Sequence, residues 1–270
     1  MKTHWLVLDV SNLCYRAWHA LPKLTHQGVS TEVIYGFLQS VKHLRELFAT
    51  DNLVFCFDHP ISFRKKLYPA YKGNRPRLEG EMKAEKTQLH LQMDELRLRH
   101  LPKAGFVNLF QFHGMESDDI MAAISRSMAY VSQQAVTLVT SDSDLFQCLA
   151  PNVVIYDPGK KAVRNEAWFK ETYGILPCRW AYVRALSGCV SDNIKGIEGM
   201  GEKTALKYVR HLLPATHKTF QLAASPKGKE IVKRNRKLVE LPSVDCPLPQ
   251  LQTQTWDQAK WNMLLKELGG

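Results

Sequence analysis

Trp5-Leu6-Val7-Leu8-Asp9 is a short apolar run closed by a carboxylate. The same grammar returns twice: Leu53-Val54-Phe55-Cys56-Phe57 ends in Asp58, and Val136-Thr137-Leu138-Val139-Thr140 runs into Asp142 and Asp144. Apolar runs of this length, bounded by polar residues, are the pattern of buried strands in a parallel sheet. In open α/β sheets the ligand lies outside the carboxyl ends of the strands, so acids far apart in sequence converge there. Carboxylates packed within a few ångströms repel one another and must take up protons or hold a multivalent cation; hard oxygen ligands favour magnesium or manganese over zinc.

Further acids extend the set. Glu116, Asp118 and Asp119 open the helix pattern 118–131, and Asp192 stands alone near a turn. Acids at a helix start are stabilised by the macrodipole, but capping needs only one of them.

At 270 residues the chain is long enough for one large domain, or one domain with an appended module. Its six cysteines show no C-x-x-C spacing, and Cys56 falls in an apolar strand, which argues against a zinc site or a disulfide framework. The apolar run before Asp9 is too short for a signal peptide, and no stretch of about 18 apolar residues occurs. These features point to a reducing cytoplasm and away from a membrane. Lys and Arg number 36 against 26 acids, a formal charge of +10. With the acids above gathered in one pocket, the remaining surface is more basic still. That distribution suits a polyanion gripped by its backbone, with salt-dependent binding.

Strand and helix signals alternate through strand 5–8, helix 31–48, strand 53–57, helix 81–100, a short strand near 106–112, helix 118–131 and strands 136–140 and 153–156. The expectation is an α/β domain, residues 1–165, with a mostly parallel sheet. A helical region, residues 166–270, follows with helices near 166–173, 178–187, 202–212 and 230–237, then a proline-rich stretch and a last helix at 258–268.

The long connection after Asp58, about 60–103, interleaves Arg64, Lys65, Lys66, Tyr68, Tyr71, Lys72, Arg75 and Arg77, cations and aromatics suited to phosphates and splayed bases. Gly196-Ile197-Glu198-Gly199-Met200-Gly201-Glu202-Lys203-Thr204 is not a Walker A loop. Glu202 separates the last glycine from Lys203, and no strand is expected before Gly196. Between two helices, such a turn can present bare backbone N–H groups to a phosphate.

Taken in order, Asp9-Val10-Ser11-Asn12, Phe57-Asp58, Phe63-Arg64, Tyr68-Pro69, Tyr71-Lys72-Gly73-Asn74-Arg75, Met115-Glu116-Ser117-Asp118-Asp119, Ser141-Asp142-Ser143-Asp144 and Ser191-Asp192-Asn193-Ile194 resemble the 5′ nuclease superfamily. That superfamily holds the flap endonucleases, the 5′ nuclease domain of bacterial DNA polymerase I and the phage 5′-3′ exonucleases, and the chain is most similar to the phage type. The resemblance implies a PIN-like mostly parallel sheet flanked by helices, a helical arch over 60–103 and a helix-three-turn-helix module around Gly196–Ala205. It implies a metal-dependent, structure-selective 5′ nuclease acting on DNA in replication or repair. Asp9, Asp58, Glu116 and Asp118, with Asp119 beside them, would serve a first Mg2+; Asp142, Asp144 and Asp192 would serve a second. Mn2+ would be able to substitute, the ions standing about 4 Å apart for phosphodiester hydrolysis.

The same resemblance makes Lys72 and Arg75 the cations on the scissile phosphate, Tyr15 a stacking ring, Arg16 a phosphate grip, and Gly199, Gly201, Lys203 and Thr204 the duplex contact, with K+ in that loop. Substrates would be DNA with 5′ flaps, 5′ overhangs or free 5′ ends. The chain ends without a polymerase region, so the expected state is a monomer working alone or beside a separate DNA polymerase, in the cytoplasm of a bacterial cell or phage-infected host. One step departs from the family: Gly188-Cys189 stands where Gly-Asp is usual. That leaves open a branched-DNA-binding protein of the same fold that cuts weakly. A PIN-type ribonuclease shares the acidic pocket but lacks the Gly196–Ala205 clamp and the basic arch.

Overall fold

The computed structural model describes residues 4–26, 28–76, 79–243, 245–253 and 256–268; Arg77 of the basic connection lies outside them. His4–Asp9 forms β1, and at Asp9 the chain turns directly into α1 (Val10–Ala20), a helix absent from the sequence expectation. A two-residue hairpin, β2 (Thr25–His26) and β3 (Val29–Ser30), leads into α2 (Glu32–Phe48), and β4 (Leu53–Cys56) follows. The basic connection contains α3 (Phe63–Leu67) and α4 (Gly80–Glu95), which widens into a π turn at Leu96–His100 and closes with α5 (Leu101–Lys103). The sheet layer then takes β5 (Leu109–Phe110), α6 (Ser117–Ser127), β6 (Ala135–Val139), β7 (Val153–Asp157) and β8 (Ala162–Arg164).

These strands make one six-stranded sheet in the order β5-β4-β1-β6-β7-β8. Pairing is parallel except at the edge, where β8 runs antiparallel to β7, a hairpin the sequence reading did not contain. With β1 central, Asp9 lies in register beside Cys56, two residues before Asp58, and β6 ends one strand over, just before Asp142. The acids therefore meet at one sheet edge because the strands that carry them are adjacent and parallel.

Alternation along the strands feeds a core on each face. Val7, Val54, Leu138 and Ile155 pack toward α6, while Leu6, Leu8, Leu53 and Phe55 pack toward α1 and α2. The helical region consists of α7 (Glu166–Tyr173), α8 (Trp180–Ser187), the short ribbon β9 (Gly188–Cys189) and β10 (Ile194–Lys195), α9 (Glu202–Val209), α10 (Lys218–Ala224) and α11 (Pro226–Val239). Phe169, Trp180, Val183 and Leu186 join the same buried cluster as Val7 and Val54, so sheet and helices share one core. The last helix, α12 (Gln258–Glu267), crosses to the opposite face, where Trp261 meets Phe106 edge-on at 5.8 Å. A strand does precede the glycine loop, contrary to expectation, but β10 is two residues long and pairs antiparallel with β9, and Glu202 still separates Gly201 from Lys203. Among the described residues no helix is long and apolar enough to cross a membrane, and all six cysteines are free.

Candidate active site

A cavity of about 380 Å³ opens at the carboxyl ends of β1 and β4, with Asp9, Asp58, Glu116, Asp118 and Asp142 in its wall beside Lys72 and Tyr15. Asp9 ends its strand and caps α1, accepting from the Asn12 N–H at 3.1 Å and, through its other oxygen, from the Thr140 hydroxyl at 3.0 Å. Asp58 accepts from the Ser11 hydroxyl at 2.5 Å and the Ser117 N–H at 2.8 Å. Burial, then the neighbouring Asp58, pushes the Asp9 carboxyl up to about 7. Asp118 is pushed well above the carboxylate range, first by burial, and its Oδ1 is buried without a hydrogen-bond partner among the described residues.

Glu116 sits between cations. Its Oε1 accepts from Lys72 Nζ at 2.8 Å, and its Oε2 accepts from the Tyr71 hydroxyl at 2.8 Å and from Arg64 at 3.3 Å. Burial alone would raise its pKa, but Arg64 and then Lys72 outweigh that and hold it below the ordinary value. Asp119 differs in role from its neighbours. It is fully buried, outside the cavity wall, and paired in a two-pronged contact with Arg64 at 2.6 and 2.9 Å. It also accepts from the N–H groups of Ser243 (2.9 Å) and Glu116 (3.3 Å). Asp119 thus holds Arg64, and Arg64 holds Glu116.

The second group adjoins the cavity through Asp142. Asp142 caps a 3-10 turn, accepting from the Asp144 N–H at 2.8 Å, and Asp144 accepts from Arg184 Nε at 2.6 Å. Burial, then Asp142, moves the Asp144 carboxyl up to about 6. Ligand atoms of Asp144, Cys189 and Asp192 all fall within 4.8 Å of one another, so the thiol faces the acids. Its Sγ also receives Arg184 at 3.2 Å and lies 3.0 Å from the Ser191 hydroxyl.

The basic residues from the sequence surround these acids unevenly. Lys72 is at the cavity wall; Arg75 reaches Asp192 at 3.4 Å from an exposed position. Tyr15 lines the cavity, whereas Arg16 is exposed and donates to the Pro158 carbonyl at 3.1 Å. In the glycine loop Gly199 adopts φ +73, and a side chain at Gly201, the N-cap of α9, would meet only open space. Lys203 is exposed in the first turn of α9 and Thr204 is half-buried beside it. Gly196 is a packing residue instead: a Cβ there would come within 2.3 Å of the Ser187 carbonyl carbon.

Sequence reasoning missed Arg184, Ser11, Ser117 and Thr140 as members of the site. Position alone offered a signal for Ser11, Ser117 and Thr140, since each stands one or two residues from a cavity acid. Arg184 had no local signal, because α8 delivers it from the helical region.

The donor chemistry fits divalent cations. Around Asp9, Asp58, Glu116 and Asp118 the available donor atoms are carboxylate oxygens, one of them, Asp118 Oδ1, buried without a hydrogen bond and 4.0 Å from Arg64, the environment a hard ion stabilises. Asp144, Asp192 and Cys189 offer a mixed oxygen and sulfur set.

The 5′-3′ exonuclease N-terminal resolvase-like domain model matches residues 4–174. The chain is 32% identical to a 5′-3′ exonuclease of Aquifex aeolicus over 99% of its own length and 92% of that protein. It is 35% identical to the thermostable DNA polymerase I of Thermus thermophilus over 77% of its length, spanning 24% of that longer enzyme. Among solved structures, the bacteriophage T5 flap endonuclease complexed with DNA and metal ions shares the fold, with a TM-score of 0.74 and 22% identity over 98% of this chain and 97% of that one.

Proposed function

The chain belongs to the 5′-3′ exonuclease family, and on that premise we propose that it hydrolyses phosphodiester bonds of DNA at 5′ flaps, 5′ overhangs and free 5′ ends, in replication or repair. The observation that carries this reading is the convergence of Asp9, Asp58, Glu116, Asp118 and Asp142 on one cavity with Lys72 in its wall. Two divalent ions, magnesium or manganese in its place, would be held by Asp9, Asp58, Glu116 and Asp118 and by Asp142, Asp144 and Asp192. When bound, such ions neutralise the acids and polarise the phosphodiester toward attack by water.

The chain's own residues do the rest. Lys72 and Arg75 orient the scissile phosphate and stabilise negative charge as it develops. Tyr15 offers a ring to the base beside the cut, and Arg16 grips a neighbouring phosphate. The bare turn at Gly199 and Gly201, with Lys203 and Thr204, holds the duplex backbone at a helix N-terminus, a loop to which we also assign a potassium ion. The catalytic unit in this reading is residues 1–165, with the arch over 60–103, and residues 166–270 form a helical region whose helix-three-turn-helix module around Gly196–Ala205 supplies the duplex clamp. A monomer suffices, with any polymerase as a separate partner.

A second reading is kept by one observation: Cys189 stands in the second ligand group where an oxygen ligand would serve a hard ion better. It describes a protein that binds branched DNA and cuts it weakly. A labelled 5′-flap duplex incubated with magnesium, with manganese and with EDTA, beside an RNA of matching sequence, tests the proposal. Metal-dependent release of the DNA flap is expected; tight binding without cleavage in either metal selects the second reading, and preferential cutting of the RNA overturns both.

A further inference from the structure

A second cavity, about 830 Å³, shares no wall residue with the acidic site. It is a groove lined by residues of α3, α6, α8, α9, α10 and α11 and by the segment at Pro242 and Ser243. Phe63, Leu67, Tyr182, Tyr208 and Val232 give it an apolar floor. Its charged wall residues are mostly cationic, with Arg126, Lys229, Lys233, Arg236 and Lys237 against Glu240 and Asp245. Arg236 is paired with Glu240 at 3.1 Å, whereas Lys229, Lys233 and Lys237 have no salt-bridge partner among the described residues. Nothing in the nuclease reading uses this groove.

Its chemistry selects an occupant. Lys229, Lys233 and Lys237 recur every four residues on α11, so they step along the rim by about 6 Å. In an extended peptide alternate side chains lie about 7 Å apart on one side, with the intervening ones on the other. A strand with acids at alternate positions and apolar side chains between them would place carboxylates on the lysines and anchors on the floor. A single nucleic-acid strand would also suit the charge, but not the floor. The Tyr182 hydroxyl is already hydrogen-bonded to Tyr208, the Ser243 hydroxyl is taken by Met115 Sδ and its N–H by Asp119. Base edges set against Tyr182 and Ser243 would find those groups already engaged, whereas aliphatic and phenyl groups need no partner. We propose that this groove is a docking site for an extended acidic peptide of a partner protein, with alternating carboxylates and apolar anchors.

Fluorescence anisotropy with a labelled Asp-Leu-Asp-Phe-Asp peptide tests this on the full chain, with Asp-Ala-Asp-Ala-Asp and an oligothymidylate octamer as comparison probes. Binding is expected to weaken tenfold or more in Lys233→Glu/Lys237→Glu and when the anchors become alanine, while DNA flap cleavage is unchanged. Leu67→Ala, at a half-exposed floor position, is the independent second variant and should weaken the anchored peptide several-fold without affecting the alanine probe. The proposal is overturned if the anchored peptide does not bind, if it binds both variants as it binds wild type, or if the alanine probe binds equally well. A comparable loss of octamer binding in the charge-reversed variant, with no anchor dependence, would make the groove a nucleic-acid path instead.

Discussion

Lys72 Nζ lies 2.8 Å from Glu116 Oε1, on a backbone held in the left-handed region at φ +53 by its N–H donating to the Asp192 carbonyl at 2.8 Å. The cation assigned to the scissile phosphate is therefore paired, without substrate, to a carboxylate assigned to metal. Metal and phosphate arriving together would satisfy both partners at once. Lys72→Ala should then slow single-turnover cleavage by about 10²- to 10³-fold while binding changes only a few-fold, because the contact strengthens as charge develops. Cleavage at the wild-type rate under saturating protein removes Lys72 from the mechanism.

Lys203 should behave in the opposite way. It is exposed at the start of α9 beside the open Gly201, so the contact proposed for it is with a phosphate that does not react. Lys203→Ala should weaken duplex binding several-fold and lower the salt slope by about one, leaving the saturated cleavage rate unchanged. Binding titrations across salt concentrations decide it; a slope equal to wild type would place Lys203 off the DNA path.

The acids make stability depend on pH and metal in a stated direction. Asp9 is pushed up to about 7 and Asp144 to about 6, in both cases first by burial. Their folded pKa values exceed the unfolded value near 3.9, so the native state holds protons that the unfolded chain has released, and this stability is lost as pH rises toward 7. Glu116 and Asp157 are shifted downward, so their contribution is present above the unfolded carboxylate range and lost only at lower pH. Between pH 5.5 and 7.5 the raised acids, with Asp118 and Asp142 among them, should outweigh His4, His90 and His100, whose pKa values burial lowers and whose contribution grows with pH. The metal-free melting temperature should fall across that window, and the gain from magnesium should grow, since the ion replaces protons. Equal magnesium gains at pH 5.5 and 7.5 would separate these carboxylates from metal binding.

Asp119 and Arg64 form the buried support of the site, Arg64 being 1% exposed with a further bond to the Leu238 carbonyl at 2.8 Å. Removing one partner leaves the other charged and buried, which costs about 3–5 kcal/mol. For a chain of this size that corresponds to a fall of about 10 °C in the metal-free melting temperature of Asp119→Ala. Loss of a cavity-wall acid, as in Asp58→Ala, should not lower it comparably, because it relieves repulsion. Differential scanning calorimetry in EDTA compares the two, and equal losses would contradict the division of labour between them.

The convergence of Asp9, Asp58 and Asp142 was legible because each follows an apolar strand, and parallel neighbours bring their ends together. The helix α1 was not, since Val10–Ala20 interleaves polar and aromatic residues and begins on the residue that ends the strand. Nor was the different role of Asp119: its spacing from Glu116 reads as a ligand or a cap equally well, and only the arrival of Arg64 and the Ser243 N–H shows what occupies it. Arg184 reaches Asp144 across 40 residues of chain, a contact that depends on α8 packing against the sheet.

Cys189 raises the last test. Its Sγ stands within 4.8 Å of the Asp144 and Asp192 oxygens, so it faces the second group although the residue is only 5% exposed. Burial, the largest influence, pushes the thiol up, and near neutral pH it brings no negative charge. Arg184, meanwhile, donates to both Asp144 and the thiol and competes for the same oxygens. A hard magnesium ion therefore meets a weakened set, whereas manganese tolerates a softer ligand. Wild type should need several-fold more magnesium for half-maximal cleavage than Cys189→Asp, with manganese narrowing the gap; Cys189→Ala should resemble wild type in magnesium and lose the manganese advantage. Metal titrations of cleavage, paired with calorimetric titration of metal alone, read both arms. If Cys189→Asp gains nothing over Cys189→Ala at low magnesium, position 189 does not feed the metal site, and the thiol is a packing residue beside it.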